Sequence, residues 1–163
     1  MTTRRSIREQ LFMLLFSMEF QNLDEMDEQT KLFYKSIFDE AMEEATLEDN
    51  KDKEQIAEDM DSFSEELDKA EEEVRGKLDE ILTLLPEIDN RISENMTGWT
   101  ISRIGKVELA IMRLSVYEML YDDEVPNSVS INEAVELAKK YGLDDAGAFV
   151  NGILGKVEKS LND

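Results

Sequence analysis

Residues 104–121 read IGKVELAIMRLSVYEMLY, and this stretch decides the fold. At 100° per residue its apolar side chains, among them Ile104, Val107, Leu109, Ile111, Met112, Leu114, Val116 and Leu120, cover every side of a helix. A helix that is apolar all round is a buried one. It is shorter than the roughly 20 mostly apolar residues that cross a bilayer, and Lys106, Glu108, Arg113 and Glu118 interrupt it. Other helices of the same chain must therefore surround it. The expectation is an all-α bundle of about seven helices around a central buried helix, with residues 1–163 as one domain.

Working outward, the turn DDEVPN at 122–127 leads to Ser130 and Glu133, which have the spacing of a capping box. They are expected to open a helix that buries Ile131, Ala134, Val135, Leu137 and Ala138, with Lys139 and Lys140 in its last turn and Gly142 as its stop. Asp144 or Asp145 then caps a final helix through Phe149, Val150, Ile153, Leu154, Val157 and Leu161. On the N-terminal side, Thr3–Gln21 suits a first helix with Ile7, Leu11, Leu14, Leu15 and Met18 facing the core. A second runs from about Glu28 to Ala45 and buries Leu32, Phe33, Ile37, Phe38, Ala41 and Met42. The acidic segment 47–73 still carries Ile56, Met60, Phe63 and Leu67 at helical spacing, after a loop near Glu48–Glu54. The apolar pattern continues through Val74, Leu78, Ile81, Leu82 and Leu85. Pro86 is expected to start a new helical turn holding Ile88 and Ile92, and Gly98 to end it. Trp99 and Ile101 lead into the central helix.

The chain has no cysteine and no histidine, which removes disulfides, thiolate metal sites, thiol nucleophiles and the commonest general base. A reducing, cytoplasmic location is the expectation. The arginines near the start resemble a twin-arginine leader only briefly, because the apolar run Leu11–Phe16 is short and no small-residue cleavage site follows. No segment reads as transmembrane, so no membrane partner is expected. The glycines match no phosphate-cradling loop, and the aspartates at 49, 52, 59 and 61 lack the glycine of a calcium loop. Nothing points to a metal, a cofactor or a catalytic pair, and the reading is a protein that is not an enzyme.

The net charge is −21, but it is unevenly spread. Residues 19–98 hold 27 acids against eight Lys and Arg, whereas residues 1–18 hold three arginines against one acid. A basic end on an acidic protein restricts a polyanion to one face. At that end Arg5, Arg8, Phe12 and Phe16 fall within about 80° of one another on a helix, with Arg4 beside them. Guanidinium groups and rings together suit single-stranded RNA; long side chains lying over apolar surface explain the same pattern without a ligand. Glu108 and Ser115, seven apart on the central helix, are either surface positions or contacts for a basic partner.

Three runs, VELAIMRLSVYEM at 107–119, VPNSVSINEAVELAKKYG at 125–142 and DAGAFVNGIL at 145–154, closely resemble the C-terminal half of the NusB family of transcription antitermination factors. RRSIREQLFMLLF at 4–16 resembles that family's arginine-rich first helix, and Ile88, Asp89 and Trp99 fall where the family keeps similar residues. The resemblance implies a NusB-like helical fold, binding to a boxA-type single-stranded RNA, and a heterodimer with the small-subunit ribosomal protein NusE that loads onto RNA polymerase during rRNA transcription. It implies an RNA face of Arg4, Arg5, Arg8, Phe16, Asp145 and Phe149, and a partner contact at Glu108. Ser6 stands where a third consecutive arginine is often found, Phe16 replaces a frequent tyrosine, and Ala148 takes a position where lysine is common. The acidic segment 47–73 is longer than usual. A protein-interaction adaptor of the same fold without RNA binding is the rival reading, and a homodimer is left open.

Overall fold

The central helix is α4, Lys106–Tyr121, and ten consecutive residues, Leu109–Glu118, are buried in it. Four other helices enclose it: α1 (Arg4–Ser17), α3 (Lys53–Glu94), α5 (Asn127–Tyr141) and α6 (Ala146–Leu161) all pack on it. The chain is described here by a computed structural model over residues 3–48, 52–98 and 100–162. Among these the fold is all-α, with six helices and three single 3-10 turns at Met18–Phe20, Leu23–Glu25 and Ile101–Arg103. One contiguous core includes Leu14 and Leu15 of α1, Val74, Ile81, Ile88 and Ile92 of α3, Ile111 and Met112 of α4, and Val150 and Leu154 of α6.

Six helices rather than about seven result from α3, which runs unbroken through Pro86 for 42 residues, about 63 Å at 1.5 Å per residue. Proline removes one backbone donor and crowds the preceding turn, a penalty of about 3 kcal/mol. The apolar stripe Val74, Leu78, Ile81, Leu85, Ile88, Ile92 keeps its phase across Pro86, which itself faces solvent, so burial on both sides outweighs that penalty. Helix α2 ends at Leu47 and α3 begins at Lys53; residues 49–51, within the loop expected near Glu48–Glu54, lie outside the described residues, as does Trp99. Gly98 follows α3 at φ +78°, a conformation that favours glycine.

Two further expectations are corrected. Helix α5 begins at Asn127, with Pro126 at the N-cap, so Ser130 lies inside the helix and is fully buried rather than capping it. In α2 (Met26–Leu47) the buried stripe is Met26, Thr30 and Tyr34, with Tyr34 Oη donating to Gln10 Oε1 at 2.8 Å. Leu32 and Met42, expected inside, are exposed. The reason is that α2 packs chiefly on α3 alone, and a helix with one neighbour hides only one narrow stripe. Phe33, Ile37 and Phe38 are half-buried, Phe38 stacking near Phe63 of α3.

Ile111→Ala should lower the unfolding free energy in urea by about 2–5 kcal/mol, whereas Leu32→Ala should lower it by less than about 0.5 kcal/mol. Equal losses would show that α2 is enclosed by more than α3.

Candidate nucleic-acid interface

Helix α1 starts under Thr3, whose Oγ1 accepts the Ser6 N–H at 3.1 Å. Arg4 and Arg5 follow in the first turn, where cations oppose the helix dipole and no acid compensates them locally. Their countercharges come from elsewhere in the fold. Arg4 Nη2 lies 3.2 Å from Glu124 Oε2 in the turn before α5, and Arg5 grips Glu133 of α5 with Nε at 3.0 Å and Nη2 at 2.8 Å. Both arginine side chains remain more than two-thirds exposed, at 71% and 72%.

Arg8 behaves differently. It is 8% exposed and turns into the protein, donating Nε to both Glu118 oxygens at 3.2 and 3.1 Å and Nη2 to Glu118 Oε2 at 2.8 Å. Ser130 Oγ donates to the same carboxylate at 3.0 Å and sits 2.8 Å from Ser115 Oγ. Arg8, expected on the RNA face, has its guanidinium enclosed in an ion pair that fastens α1 to α4. Ser115, singled out on the central helix, belongs to that same buried network. Helical spacing put Arg8 in one sector with Arg5 and Phe16, but α4 and α5 cover the inner edge of that sector.

Arg4, Arg5 and Arg8 line one side of a cleft of about 280 Å³ whose other side is Val125, Pro126, Val129 and Glu133. From there a strip runs along the seam between α1 and α5. Glu9 accepts from Lys140 at 2.7 Å and from the Tyr141 hydroxyl, the Phe12 and Tyr141 rings lie 5.1 Å apart, and Phe16 meets the exposed Phe20 edge-on at 5.2 Å. Lys106 Nζ lies 4.4 Å from the Phe20 ring centroid. Lys140, Tyr141, Phe20, Lys106 and Glu133 are missing from the sequence-derived set. The i, i+7, i+8 spacing of Glu133, Lys140 and Tyr141 is a usable signal, although Lys140 by itself also fits the end of a helix.

Asp145 and Phe149 occupy another place. Asp145 is exposed at the N-cap of α6 and makes no side-chain cap bond. Phe149, one turn on, is half-buried and lines a groove of about 280 Å³ with Asn95, Met96 and Thr97 after α3 and Lys156 of α6. This groove shares no lining residue with the arginine cleft, so the structure joins Arg4, Arg5 and Arg8 at one concavity and leaves Phe149 at a second. Glu108 is half-buried in the first turn of α4 and folds back over Gly105: a Cβ there would lie 2.2 Å from its Oε2. Its other oxygen points toward Gly142 at the end of α5. A cavity of about 550 Å³ behind Arg8 is walled by the acids Glu73, Glu80, Glu118, Asp122 and Glu124 against Arg4, Arg8 and Lys77, and this acidic excess disfavours polyanions.

Arg8→Ala and Glu118→Ala should each destabilise the protein by about 3–5 kcal/mol, because each strands a buried charge. The paired Arg8→Met/Glu118→Leu variant should lose far less than their sum; additive losses in urea unfolding would mean the two side chains do not act as a pair. Hydrogen bonds from Arg5 hold the Glu133 carboxyl below the usual glutamate range. A depressed acid adds stability above its unfolded pKa of about 4.3, and that stability is lost as pH falls through the folded value. Wild type and Glu133→Gln should therefore differ in thermal midpoint near neutrality, and the difference should close as pH falls through the depressed folded pKa of Glu133.

A model of the NusB family matches residues 5–159. The chain is 41% identical over 154 residues to the transcription antitermination protein NusB of Agathobacter rectalis, covering 94% of this chain and 98% of that one. Against the NusB of Lachnoclostridium phytofermentans it is 42% identical over 155 residues, covering 95% and 98%. Among solved structures, T. maritima NusB superposes with a TM-score of 0.68 at 31% identity, covering 97% of this chain and 92% of that one. A crystal structure of the antitermination factors NusB and NusE with double-stranded RNA matches at 0.65 and 25% identity, covering 96% of each chain. Sequence and fold agree along nearly the whole length, and the chain belongs to the NusB family.

Proposed function

We propose that this protein is a transcription antitermination factor that binds boxA-type single-stranded RNA jointly with NusE and loads onto RNA polymerase during rRNA transcription. It contributes binding surfaces and no chemistry. The observation that carries the reading is the end of α1, where Arg4 and Arg5 stand exposed beside a cleft floored by Val125, Pro126 and Val129, on a protein whose remaining surface is strongly acidic. Phosphates meet the two guanidinium groups, and unpaired bases stack on Phe16 and Phe149. Arg8 supports this surface from inside. Asp145, beside the Phe149 groove, belongs to the same RNA face, its carboxylate able to accept from base edges, and Glu108 faces the ribosomal protein. Support for NusE and RNA comes from the related NusB crystallised with both.

The adaptor reading, with the partner bound and no RNA, draws on one specific observation: each of the three arginines is already matched by a carboxylate. Fluorescence anisotropy separates the two. A labelled boxA-like strand and its scramble are titrated with the protein alone and with NusE, at two salt concentrations, using wild type and Arg5→Ala/Phe149→Ala. Selective binding that strengthens with NusE is expected, with about 10-fold or greater loss in the double variant. The salt slope should fall by about 0.7 for the lost phosphate contact. If NusE binds but the boxA strand does no better than its scramble, the adaptor reading replaces this one.

A further inference from the structure

We propose that Glu133 is an intramolecular latch on Arg5, a carboxylate that occupies the guanidinium fork until an RNA phosphate displaces it. The inference rests on the RNA-binding reading above and adds to it the element that sets the threshold for binding. The Arg5–Glu133 contact uses Nε at 3.0 Å and Nη2 at 2.8 Å, the same two-pronged geometry with which arginine takes a phosphate. A phosphate therefore competes for the same face of the guanidinium rather than adding beside it.

The two halves of the pair are not equally free. The Glu133 side chain is 18% exposed on α5, whereas that of Arg5 is 72% exposed, so the carboxylate is held in place and the arginine is the member that can swing away. When it leaves, Glu133 is not stranded: Arg8 Nη1 already stands 3.9 Å from its Oε2, while the Arg8 Nε and Nη2 remain on Glu118. Glu133 thus sits between two arginines and has a second partner ready once Arg5 is drawn out. The cleft that opens beside it offers Val125, Pro126 and Val129 as an apolar floor for an unstacked base. The Arg4–Glu124 pair has none of this construction, since both its side chains are more than two-thirds exposed, at 71% and 77%. Such a pair is weak and exchanges with solvent.

The test uses the full chain as wild type, Glu133→Gln, Arg5→Ala/Glu133→Gln and Glu136→Gln. Glu136→Gln removes the same unit charge one turn along α5 at an exposed side chain. Each is titrated with the labelled boxA-like strand and its scramble by anisotropy, and with inorganic polyphosphate by calorimetry. The latch requires Glu133→Gln to bind both ligands about threefold to tenfold more tightly than wild type. It also requires Glu136→Gln to change binding by less than about twofold, and the gain to vanish when Arg5 is also removed. Glu133→Asp, which keeps the charge but shortens the reach, should give a smaller gain in the same direction and serves if the glutamine variant does not fold. Unchanged or weaker binding of both ligands by Glu133→Gln overturns the latch, even where wild type selects boxA over its scramble. An equal gain in Glu136→Gln, or a gain that survives loss of Arg5, also overturns it, because bulk charge is then responsible. A gain toward polyphosphate with no preference for boxA over its scramble upholds the latch and sinks the boxA reading instead.

Discussion

Two charged side chains, Arg113 and Glu118, are buried in a helix whose other buried residues are apolar apart from Ser115, and the arrangement of the other helices follows from giving them partners. A buried charge without a partner is far too unfavourable to persist in a folded domain. Glu118 receives Arg8 from α1 and Ser130 from α5. Arg113 receives Asp89 from α3 in a two-pronged contact at 2.8 and 2.9 Å, and Glu19 from the turn that ends α1. Because Arg8 meets the late part of α4 and Glu19 its middle, α1 is held antiparallel to α4 at two points. Apolar contacts alone are non-directional and would tolerate sliding; these hydrogen-bonded pairs do not.

The same constraint builds the candidate interface. With Arg8 drawn inward to Glu118, Arg4 and Arg5 are carried to the rim, where the turn before α5 and α5 itself supply Glu124 and Glu133. The surface cations therefore rest on a rigid interior pair and not on a mobile terminus. Further along the seam the rings of Phe12, Tyr141, Phe16 and Phe20 continue the strip. The acid load lies mainly elsewhere: residues 19–98 hold 27 acids against eight Lys and Arg, and most of those acids stand on α2 and the long α3. This separation confines an approaching polyanion to the arginine end.

Much of the architecture was legible from spacing alone. The all-round apolar run at 104–121 marked the central helix, and the stripe Ile7, Leu11, Leu14, Leu15, Met18 on α1 is buried as its period required. Legibility failed where a local rule met a tertiary competitor. Pro86 reads as a break, yet the stripe on both sides keeps α3 whole. Ser130 and Glu133 have the spacing of a capping box, yet Ser130 serves a buried carboxylate and Glu133 grips Arg5. Leu32 and Met42 read as core, but α2 has one principal neighbour.

The order of residues was thus enough to settle the helical class, the identity of the central helix and the presence of a cationic end, because hydrophobic period and charge count are local properties of the chain. Which arginine is structural and which is available could not be read that way. Arg5 and Arg8 are chemically identical and three residues apart, and they differ only because Glu118, 110 positions after Arg8, is brought against it inside the core. Burial and pairing across such separations exist only once the helices have packed, and they divide the arginines into one that holds the fold and two that face outward.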